Sequence, residues 1–444
     1  MKNRRFYFLV TLLFLTGSLH AQDAVKEAAN KIAQNFLAGG VGYSNIDGED
    51  YVSFAAQPDI GIGKFGFGLN LNLRVNTKTS QIYMADWDDN AWRKVLNYVR
   101  YGKKNDDFLY FQIGRLPNAT LGKGILVYHY NNSASFDDRT LGAVFDLDLK
   151  YFGFETLYAD MNEPGLIGGR VYLRPFQMTG MATIPIIGMA EFGAGYVQDR
   201  HIDAKNLSST YDNSLGKQGA ITTANDATAY SWDIVFPLLN FDSFKVDTYL
   251  ESAKFVNYGQ GQNIGFSIQS DIAGIITWDT RVERRWQSAK YINSYYNSLY
   301  ERERWAAATS EQAGAGKLAQ LENAPSGLGT FGELKMVFGG VFEIIGAYQK
   351  SDNRGDGLLH LETGLPESFT GPFTFYASYD RSGIEKDSEA FKLDEDSLAA
   401  ANVGYRPVPY MEVAMRYLWT FKTVNGKLTT QNRVEPSFRM ILAF

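Results

Sequence analysis

The sequence predicts an all-β fold, a transmembrane antiparallel β-barrel of about 18 strands, within a range of about 14 to 18. Apolar residues recur at every second position from about Tyr51 to the C-terminus, which is the period of a strand with one apolar face. Short turns and long polar segments alternate between these strands, as in barrels whose loops lie on opposite sides of a membrane. A short N-terminal helical segment and a helix-favouring long loop complete the predicted fold.

Residues 1–21 predict a signal peptide. A basic start, MKNRR, precedes an apolar run of about a dozen residues, FYFLVTLLFLTG, and small residues lead to a cleavage site after Ala21. The alternative is a short membrane anchor, but the run is shorter than the roughly 20 residues that a membrane-spanning helix needs. We therefore expect the mature chain to leave the cytoplasm. With no Cys in the sequence, it contains no disulfides there.

Residues 22–60 are expected to form an N-terminal segment that lies in the periplasm or plugs the barrel lumen. Apolar residues in 23–38 recur with helical spacing, and the pair Gly39-Gly40 is typical of a helix end. From Tyr51 onward the period changes from 3.6 to 2, and we expect the barrel to cover residues 61–444.

The clearest strand covers residues 65–76, FGFGLNLNLRVN. Its odd-numbered residues are all apolar, whereas its even-numbered residues are Gly, Asn or Arg. A secreted β-sandwich would show the same alternation and is the alternative fold. The barrel is favoured because the pattern recurs to the C-terminus and the connections alternate in length. The long polar segments are 77–106, 199–228, 286–330 and 381–395. The segment 286–330 favours helix, and it either caps the mouth of the barrel or folds inward.

Charged residues on the second face of the strands are expected to line an aqueous lumen. Spanning strands must close into a barrel so that every backbone polar group is paired, and a barrel of more than about 14 strands is too wide for side chains to fill. Charged rows across a pore set solute and ion preference. The alternative is that neighbouring strands pair these charges into ladders that stiffen the wall. The predicted lumen-lining residues are Arg74, Arg170, Arg174, Arg281, Arg285, Arg416 and Arg439, with Asp146, Asp148, Asp247, Glu251, Glu283 and Glu412.

Enzymatic, metal-binding and nucleic-acid functions find little support in the sequence. His129 lies four residues before Ser133, a separation of about 13 Å along a strand at roughly 3.3 Å per residue, which is too long for a direct nucleophile–base pair. Four His and no Cys predict neither a metal site nor another cofactor. The net charge of −6 indicates no basic face for a nucleic-acid partner. We therefore expect a protein that is not an enzyme.

The C-terminal stretch PSFRMILAF is predicted to be the strand that closes the barrel. Because Pro436 lacks an N–H, regular pairing is expected to start after it, which leaves a last crossing of about 8 residues. The apolar face of this strand is expected to contact lipid and consists of Phe438, Met440, Leu442 and Phe444. Aromatic residues at predicted strand ends, including Tyr128 and Tyr130, are expected to form girdles at the membrane surfaces.

With this signal sequence, these alternating strands and the terminal FRMILAF, the chain resembles the porin-like outer-membrane β-barrel proteins of Gram-negative bacteria. The resemblance covers most of the chain, and it implies residence in the outer membrane in contact with its lipid. It also implies that the C-terminal strand, through Phe438, Met440, Leu442 and Phe444, is the membrane-insertion signal that the barrel-assembly machinery recognises.

The function that this resemblance implies is passive diffusion of small hydrophilic solutes through a charged lumen. One alternative is a hatch-bearing transporter of hydrophobic compounds, similar to the long-chain fatty-acid transporter family, in which residues 22–60 would plug the lumen. Another alternative is a surface-binding or structural barrel whose long loops, especially 286–330, bind a partner.

Overall fold

The computed structural model describes most of the chain from residue 36 onward. The described residues are 36–87, 91–104, 106–135, 137, 139–162, 165–200, 211–212, 217–218, 227–241, 243–304, 317–352, 356–365, 371–424 and 427–443. The predicted signal peptide and residues 22–35 of the predicted N-terminal segment lie outside the described residues. In the described part of the chain, no helix is long and apolar enough to cross a bilayer.

Strands dominate the described residues, as the alternation of apolar and polar residues predicts. In chain order they are β1 (Phe36–Ile46), β2 (Glu49–Ile62), β3 (Phe65–Leu69), β4 (Leu71–Asn76), β5 (Leu96–Tyr101), β6 (Leu109–Gly114), β7 (Gly142–Asp148), β8 (Phe152–Tyr158), β9 (Leu166–Leu173), β10 (Glu191–Asp199), β11 (Tyr211–Asp212), β12 (Lys217–Gln218), β13 (Ala227–Phe241), β14 (Phe244–Phe255), β15 (Gln260–Ile272), β16 (Ile276–Gln287), β17 (Gly327–Phe338), β18 (Phe342–Ser351), β19 (Gly357–Leu365), β20 (Phe373–Ile384), β21 (Ser397–Val408), β22 (Met411–Val424) and β23 (Lys427–Ala443). The α-helices are short and comprise α1 (Ala91–Val95), α2 (Tyr300–Glu303) and α3 (Lys317–Glu322). Turns of 3₁₀ helix lie at Met84–Asp86, Pro175–Met178, Gly180–Thr183, Ile187–Met189 and Asp387–Glu389.

The strands form a closed antiparallel barrel. Successive wall strands pair with each other, and β1 pairs on one side with β2 and on the other with β23, from Phe36 opposite Ala443 to Ile46 opposite Arg433. The sheet has 21 strands, of which β3 and β4 are successive halves of one crossing, so the described wall has 20 crossings. The short strands β11 and β12 form a separate two-stranded sheet. The all-β barrel is therefore confirmed, whereas the prediction of about 18 strands is wrong.

The two additional crossings are β1 and β2. Residues 36–60 were expected in a periplasmic or lumen-plugging segment, but they lie in the barrel wall, which therefore begins at Phe36 in the described chain. The pair Gly39-Gly40, which resembles a helix end, is here part of a strand. A Cβ atom on Gly40 would lie 1.9 Å from the carbonyl oxygen of Phe438, so glycine lets β1 approach β23 closely at the closing seam.

Most of the long connections lie at one end of the barrel, as predicted, but short connections such as 47–48 and 256–259 also lie at that end. The turns at 63–64, 149–151, 273–275, 339–341 and 409–410 lie where β1 begins and β23 ends, which we call the short-turn side. The opposite end, which we call the long-loop side, carries the connections 77–95, 115–141, 200–226, 288–326 and 385–396. The connection 77–95, which contains α1, is thus shorter than the predicted polar segment 77–106, because residues 96–101 form β5. Connection 174–190 is long although it lies on the short-turn side.

The wall is apolar outside and polar inside. Phe65 and Phe67 point outward and are exposed, whereas Arg74 and Asn76 point into the barrel and are buried. The same alternation in β16 places Val282 outside, where it is 57% exposed. An outward apolar face suits lipid, while an inward polar face needs water or polar partners.

The last strand is longer than predicted. β23 covers Lys427–Ala443, so Pro436 lies within the strand, opposite Met415 of β22. Pairing between β1 and β23 is interrupted after Gly42 opposite Ser437. The missing N–H of Pro436 thus falls where β1 does not pair, which is how a sheet tolerates proline. Phe438, Met440 and Leu442 point outward and are exposed, while Phe444 lies outside the described residues.

Candidate functional site

Two long connections fold into the lumen and pair with each other. We call residues 115–141 inner loop 1, and residues 288–304, the first part of connection 288–326, inner loop 2. The N–H of Ser294 donates to the carbonyl of Ile125 (2.9 Å), and the N–H of Tyr296 donates to that of Leu126 (3.0 Å). The N–H of Tyr128 donates in return to the carbonyl of Tyr296 (3.0 Å). These backbone bonds join the loops across the lumen.

A buried aromatic cluster holds inner loop 2 in place. The Tyr296 ring packs edge-on against Tyr295 and Tyr300, with ring centroids 4.9 and 4.8 Å apart. The Phe255 ring, from β14, contacts the Tyr295 ring at 5.1 Å. All four side chains are fully buried. Of the two interpretations of segment 286–330, inward folding therefore describes residues 288–304, whereas residues 305–316 lie outside the described chain.

The same packing corrects the prediction for two tyrosines of inner loop 1. Tyr128 and Tyr130 were expected in girdles at the membrane surface, but they are 4% and 0% exposed inside the barrel. The hydroxyl of Tyr130 donates to Glu301 in α2 (2.7 Å). The prediction is wrong because ILVYHY lies on a loop whose apolar run packs against another loop, and sequence spacing alone does not reveal that contact.

Inner loop 1 is also bonded to opposite parts of the wall. The N–H of Gly122 donates to Glu155 of β8 (2.7 Å), and Arg281 of β16 donates to the carbonyl of Lys123. Further along the loop, the hydroxyl of Ser135 donates to the carbonyl of Phe421 in β22 (2.8 Å). The loop therefore spans the lumen from β8 to β22 and narrows it.

A first charged cluster lies on the wall between β7 and β13. Arg170 forms two hydrogen bonds with Asp233 (2.8 and 2.6 Å) and an ion pair with Glu191 (2.7 Å). Arg174 bridges Glu191 (2.9 Å) and Asp148 (2.7 Å). The fork geometry of the guanidinium suits this shared arrangement. The two arginines are thus fixed by three carboxylates.

A second charged cluster lies on the paired strands β16 and β17. Arg285 pairs with Glu283 (2.7 Å), and Arg281 pairs with Glu333 (2.8 Å). Both guanidinium groups also lie over the Phe331 ring, at 4.3 and 4.6 Å from its centroid. Stacking on an aromatic ring adds to the attraction of a desolvated cation. This cluster faces inner loop 1, since Arg281 also bonds that loop.

A third charged cluster lies near the closing seam. Arg74 pairs with Asp86 (2.5 Å) and with Glu435 of β23 (3.0 Å). Arg433 pairs with the same Glu435 (3.3 Å) and with Asp137 of inner loop 1 (3.2 Å). Inner loop 1 is therefore bound to the seam by an ion pair as well as by hydrogen bonds.

The predicted lumen-lining residues all lie on the inward face, but they do not form one site. Those that are buried inside the barrel are Arg74, Arg170, Arg281, Arg285, Arg439, Glu251, Glu283 and Glu412. Those that are partly buried are Arg174, Arg416, Asp146 and Asp247. Asp148 lies at the short-turn rim with 53% of its side chain exposed. Ion pairs with opposite charges hold most of the arginines. Some of these pairs join neighbouring strands, as between Arg281 and Glu333, whereas others lie within one strand, as between Arg285 and Glu283, or reach a loop, as between Arg74 and Asp86.

Several residues that complete these clusters were not singled out in the sequence. Asp233, Glu333, Arg433 and Glu435 carry half of the ion pairs described above, and the alternation within β13, β17 and β23 assigns each of them to the inward face. Asp86 and Asp137 lie on loops, where no period indicates direction. Only the first group could have been found from the pattern.

A histidine pair lies where both inner loops meet the wall. The ring centroids of His129, in inner loop 1, and His360, in β19, are 4.6 Å apart. His129 lies 3.5 Å from Glu333, and Asp380 accepts a hydrogen bond from Ser298 of inner loop 2 (2.5 Å) while lying 2.8 Å from His360. Burial is the largest influence on His129 and holds its pKa below the usual range. Among the described residues, no group of His, Cys, Asp and Glu is arranged to hold a metal ion.

Comparisons with known proteins found matches among solved structures only. No protein-family model matches the sequence, and no curated protein matches it either. Among solved structures, Pseudomonas aeruginosa OccK9 (OpdG) shows a TM-score of 0.34 at 12% identity, over 92% of this chain and 98% of that one. Pseudomonas aeruginosa OpdK with vanillate shows 0.34 at 10% identity, over 93% and 98%. Pseudomonas aeruginosa OccK2 (OpdF) in complex with glucuronate shows 0.34 at 11% identity, over 92% and 96%.

Proposed function

We propose that the chain is an outer-membrane channel for passive diffusion of small hydrophilic solutes. The observation that carries this proposal is a closed barrel, apolar outside and charged inside, whose lumen is narrowed by two loops. The closed sheet has the architecture of the porin-like outer-membrane barrels that the sequence resembles. A wall of 20 crossings encloses more space than side chains alone fill.

The three charged clusters supply the selectivity of this channel. The three clusters lie on separate parts of the wall around inner loop 1, and each contains both carboxylate and guanidinium groups. Because each cluster combines both signs, a solute passing the loop meets local fields rather than one uniform charge. Such an arrangement orients dipolar solutes and discriminates between ions. We therefore expect polar solutes to pass by size and dipole, and hydrophobic compounds to be excluded.

The hatch-bearing transporter receives less support. Its plug was assigned to residues 22–60, and residues 36–60 belong to β1, β2 and the turn between them. In the described chain, the lumen is instead occupied by loops whose bonds to the wall involve charged and polar groups. These groups favour a passage for hydrophilic solutes.

Liposome swelling tests the proposed function. The full chain, reconstituted in phospholipid vesicles, is expected to admit small neutral sugars and to exclude progressively larger ones, because the inner loops limit the width of the passage. The matched control is the same protein unfolded before reconstitution. Folded barrels that are heat-modifiable on gels but give no swelling with any sugar would refute the proposal.

A further inference from the structure

Connection 174–190, which we call the rim loop, differs in composition from the other long connections. Residues 175–190, PFQMTGMATIPIIGMA, contain no Asp, Glu, Lys, Arg or His. By contrast, the connection 385–396, EKDSEAFKLDED, consists largely of charged residues. A charge-free run of this length is unusual for a turn in water, where loops are polar.

The rim loop exposes its apolar side chains. Six large apolar residues point away from the protein, and each is between 39% and 57% exposed: Met178, Met181, Ile184, Ile186, Ile187 and Met189. Exposed contiguous apolar surface of this kind marks contact with a membrane or with another protein.

The backbone of the rim loop is hydrogen-bonded internally. The N–H of Ile184 donates to the carbonyl of Met181 (2.9 Å), and the N–H of Gly188 donates to that of Ile184 (2.9 Å). The side chain of Gln177 closes the loop by donating to the carbonyl of Gly188 (2.7 Å). Backbone groups that are already paired can enter a low-dielectric environment without a large desolvation cost. The loop is therefore suited to lipid as well as to water.

The position of the rim loop explains why it is apolar. On the short-turn side, β10 begins at Glu191 opposite Val235, whereas β13 continues through residues 236–241 alongside β14. The wall thus has a step, because β13 extends further toward the short-turn side than β9 and β10 do. Leu239 and Phe241, within that extension, point outward and are 43% and 61% exposed. The apolar outer face of β13 therefore continues toward the short-turn side beyond the ends of β9 and β10.

The rim loop lies beside the extended part of β13, in the space beyond the ends of β9 and β10. The side chain of Asn240 donates to the sulfur of Met189 (3.4 Å), so the loop lies beside the extended part of β13. On its other side, the Phe176 ring packs on the outward-facing Phe192 ring, with centroids 6.2 Å apart. Charge returns only at the ends of the loop, where Arg174 pairs with Glu191 (2.9 Å). The apolar surface of the loop is thus continuous with the outer face of the wall.

We propose that the rim loop is a lipid-contacting anchor that completes the apolar band at the step between β10 and β13. Its partner is the phospholipid leaflet on the short-turn side of the membrane. β9 has 8 residues, and a strand of that length, tilted by about 40°, rises only about 20 Å, against an apolar band about 25 Å tall. The loop supplies the remaining apolar surface, in the manner of an interfacial segment whose apolar face enters the acyl boundary.

Site-directed spin labelling tests this proposal in the full chain. Because the sequence contains no Cys, Ile184→Cys and Ile187→Cys each carry a single label. Leu239→Cys serves as the lipid-facing reference, and Ser243→Cys, in the exposed turn on the same side, serves as the aqueous reference. Each variant is reconstituted in vesicles of phosphatidylethanolamine and phosphatidylglycerol, and power saturation compares access by oxygen with access by a water-soluble nickel chelate.

The two loop labels are expected to show an oxygen-to-nickel access ratio several-fold above that of Ser243→Cys and close to that of Leu239→Cys. A ratio equal to that of Ser243→Cys would place the loop in water and overturn the proposal. Low access by both reagents would indicate cover by protein, such as a second copy of the chain, and would also overturn it.

Discussion

Replacing Tyr296 tests how firmly the inner loops are held in the lumen. This residue joins the loops through its backbone, and its fully buried ring contacts Tyr295, Tyr300 and Phe255. Its hydroxyl donates only one hydrogen bond, to the carbonyl of Ala227 (3.2 Å). Tyr296→Ala removes the ring, whereas Tyr296→Phe removes only the hydroxyl.

The two substitutions differ in expected cost. Removing a fully buried aromatic ring costs about 3–5 kcal/mol, whereas losing one neutral hydrogen bond costs about 1 kcal/mol. At about 1.4 kcal/mol per factor of ten, Tyr296→Ala shifts the equilibrium between docked and undocked inner loop 2 by at least about 100-fold. Tyr296→Phe shifts it by roughly fivefold. The barrel itself is expected to remain closed in both variants, because its ladder of backbone bonds does not involve this side chain.

Single-channel recording in planar bilayers measures the outcome. Tyr296→Ala is expected to give larger and noisier conductance steps than the unmodified chain, while Tyr296→Phe stays close to it. Heat-modifiability on gels confirms in each case that the barrel is folded. Folded Tyr296→Ala barrels with unchanged conductance and noise would refute the inference that this cluster holds the constriction.

Three further perturbations test other parts of the structure. Asp233→Asn removes a negatively charged partner of Arg170, so the reversal potential in a salt gradient is expected to shift toward anion preference. The same change at outward-facing Asp352 is expected to leave the reversal potential unchanged. Equal shifts in the two variants would refute the assignment of Asp233 to the lumen. Because burial lowers the pKa of His129, its neutral form favours docking of inner loop 1, so the contribution of this side chain is largest above about pH 6.5 and weakens as pH falls. Conductance noise should therefore increase as the pH is lowered from 8 to 5, and the increase should be smaller in His129→Gln. Identical pH profiles of the unmodified chain and His129→Gln would contradict this. Val282→Arg is expected to destabilise the folded barrel by about 2–4 kcal/mol near the membrane midplane; an unchanged urea midpoint in vesicles would exclude lipid contact there.

The parts of the fold that repeat along the chain could be predicted from the sequence. A strand reveals its two faces locally, so the alternation within residues 65–76 gave Phe65 and Arg74 opposite directions, as in the structure. β1 was missed because its Gly-rich sequence follows a run with helical spacing, and its strand conformation depends on pairing with β23 at the other end of the chain. Such non-local pairing has no local signal.

The candidate site was predicted only in outline, because its contacts link distant segments. Alternation gives the direction of Arg281, but its pairing with Glu333 and its bond to Lys123 depend on strand register and on the path of a loop. The tyrosines of segment 286–330 are evident in the sequence, whereas their burial follows from packing against Phe255. Sequence reasoning thus identified the charged lumen more readily than the loops that narrow it.

The central claim is that an aqueous passage runs past the docked inner loops. Ionic conductance of the unmodified full chain in planar bilayers tests it most directly, since current requires a continuous water-filled path. We predict discrete steps that are stable in time and proportional to voltage. Folded, inserted barrels that pass no current at any voltage would contradict the account.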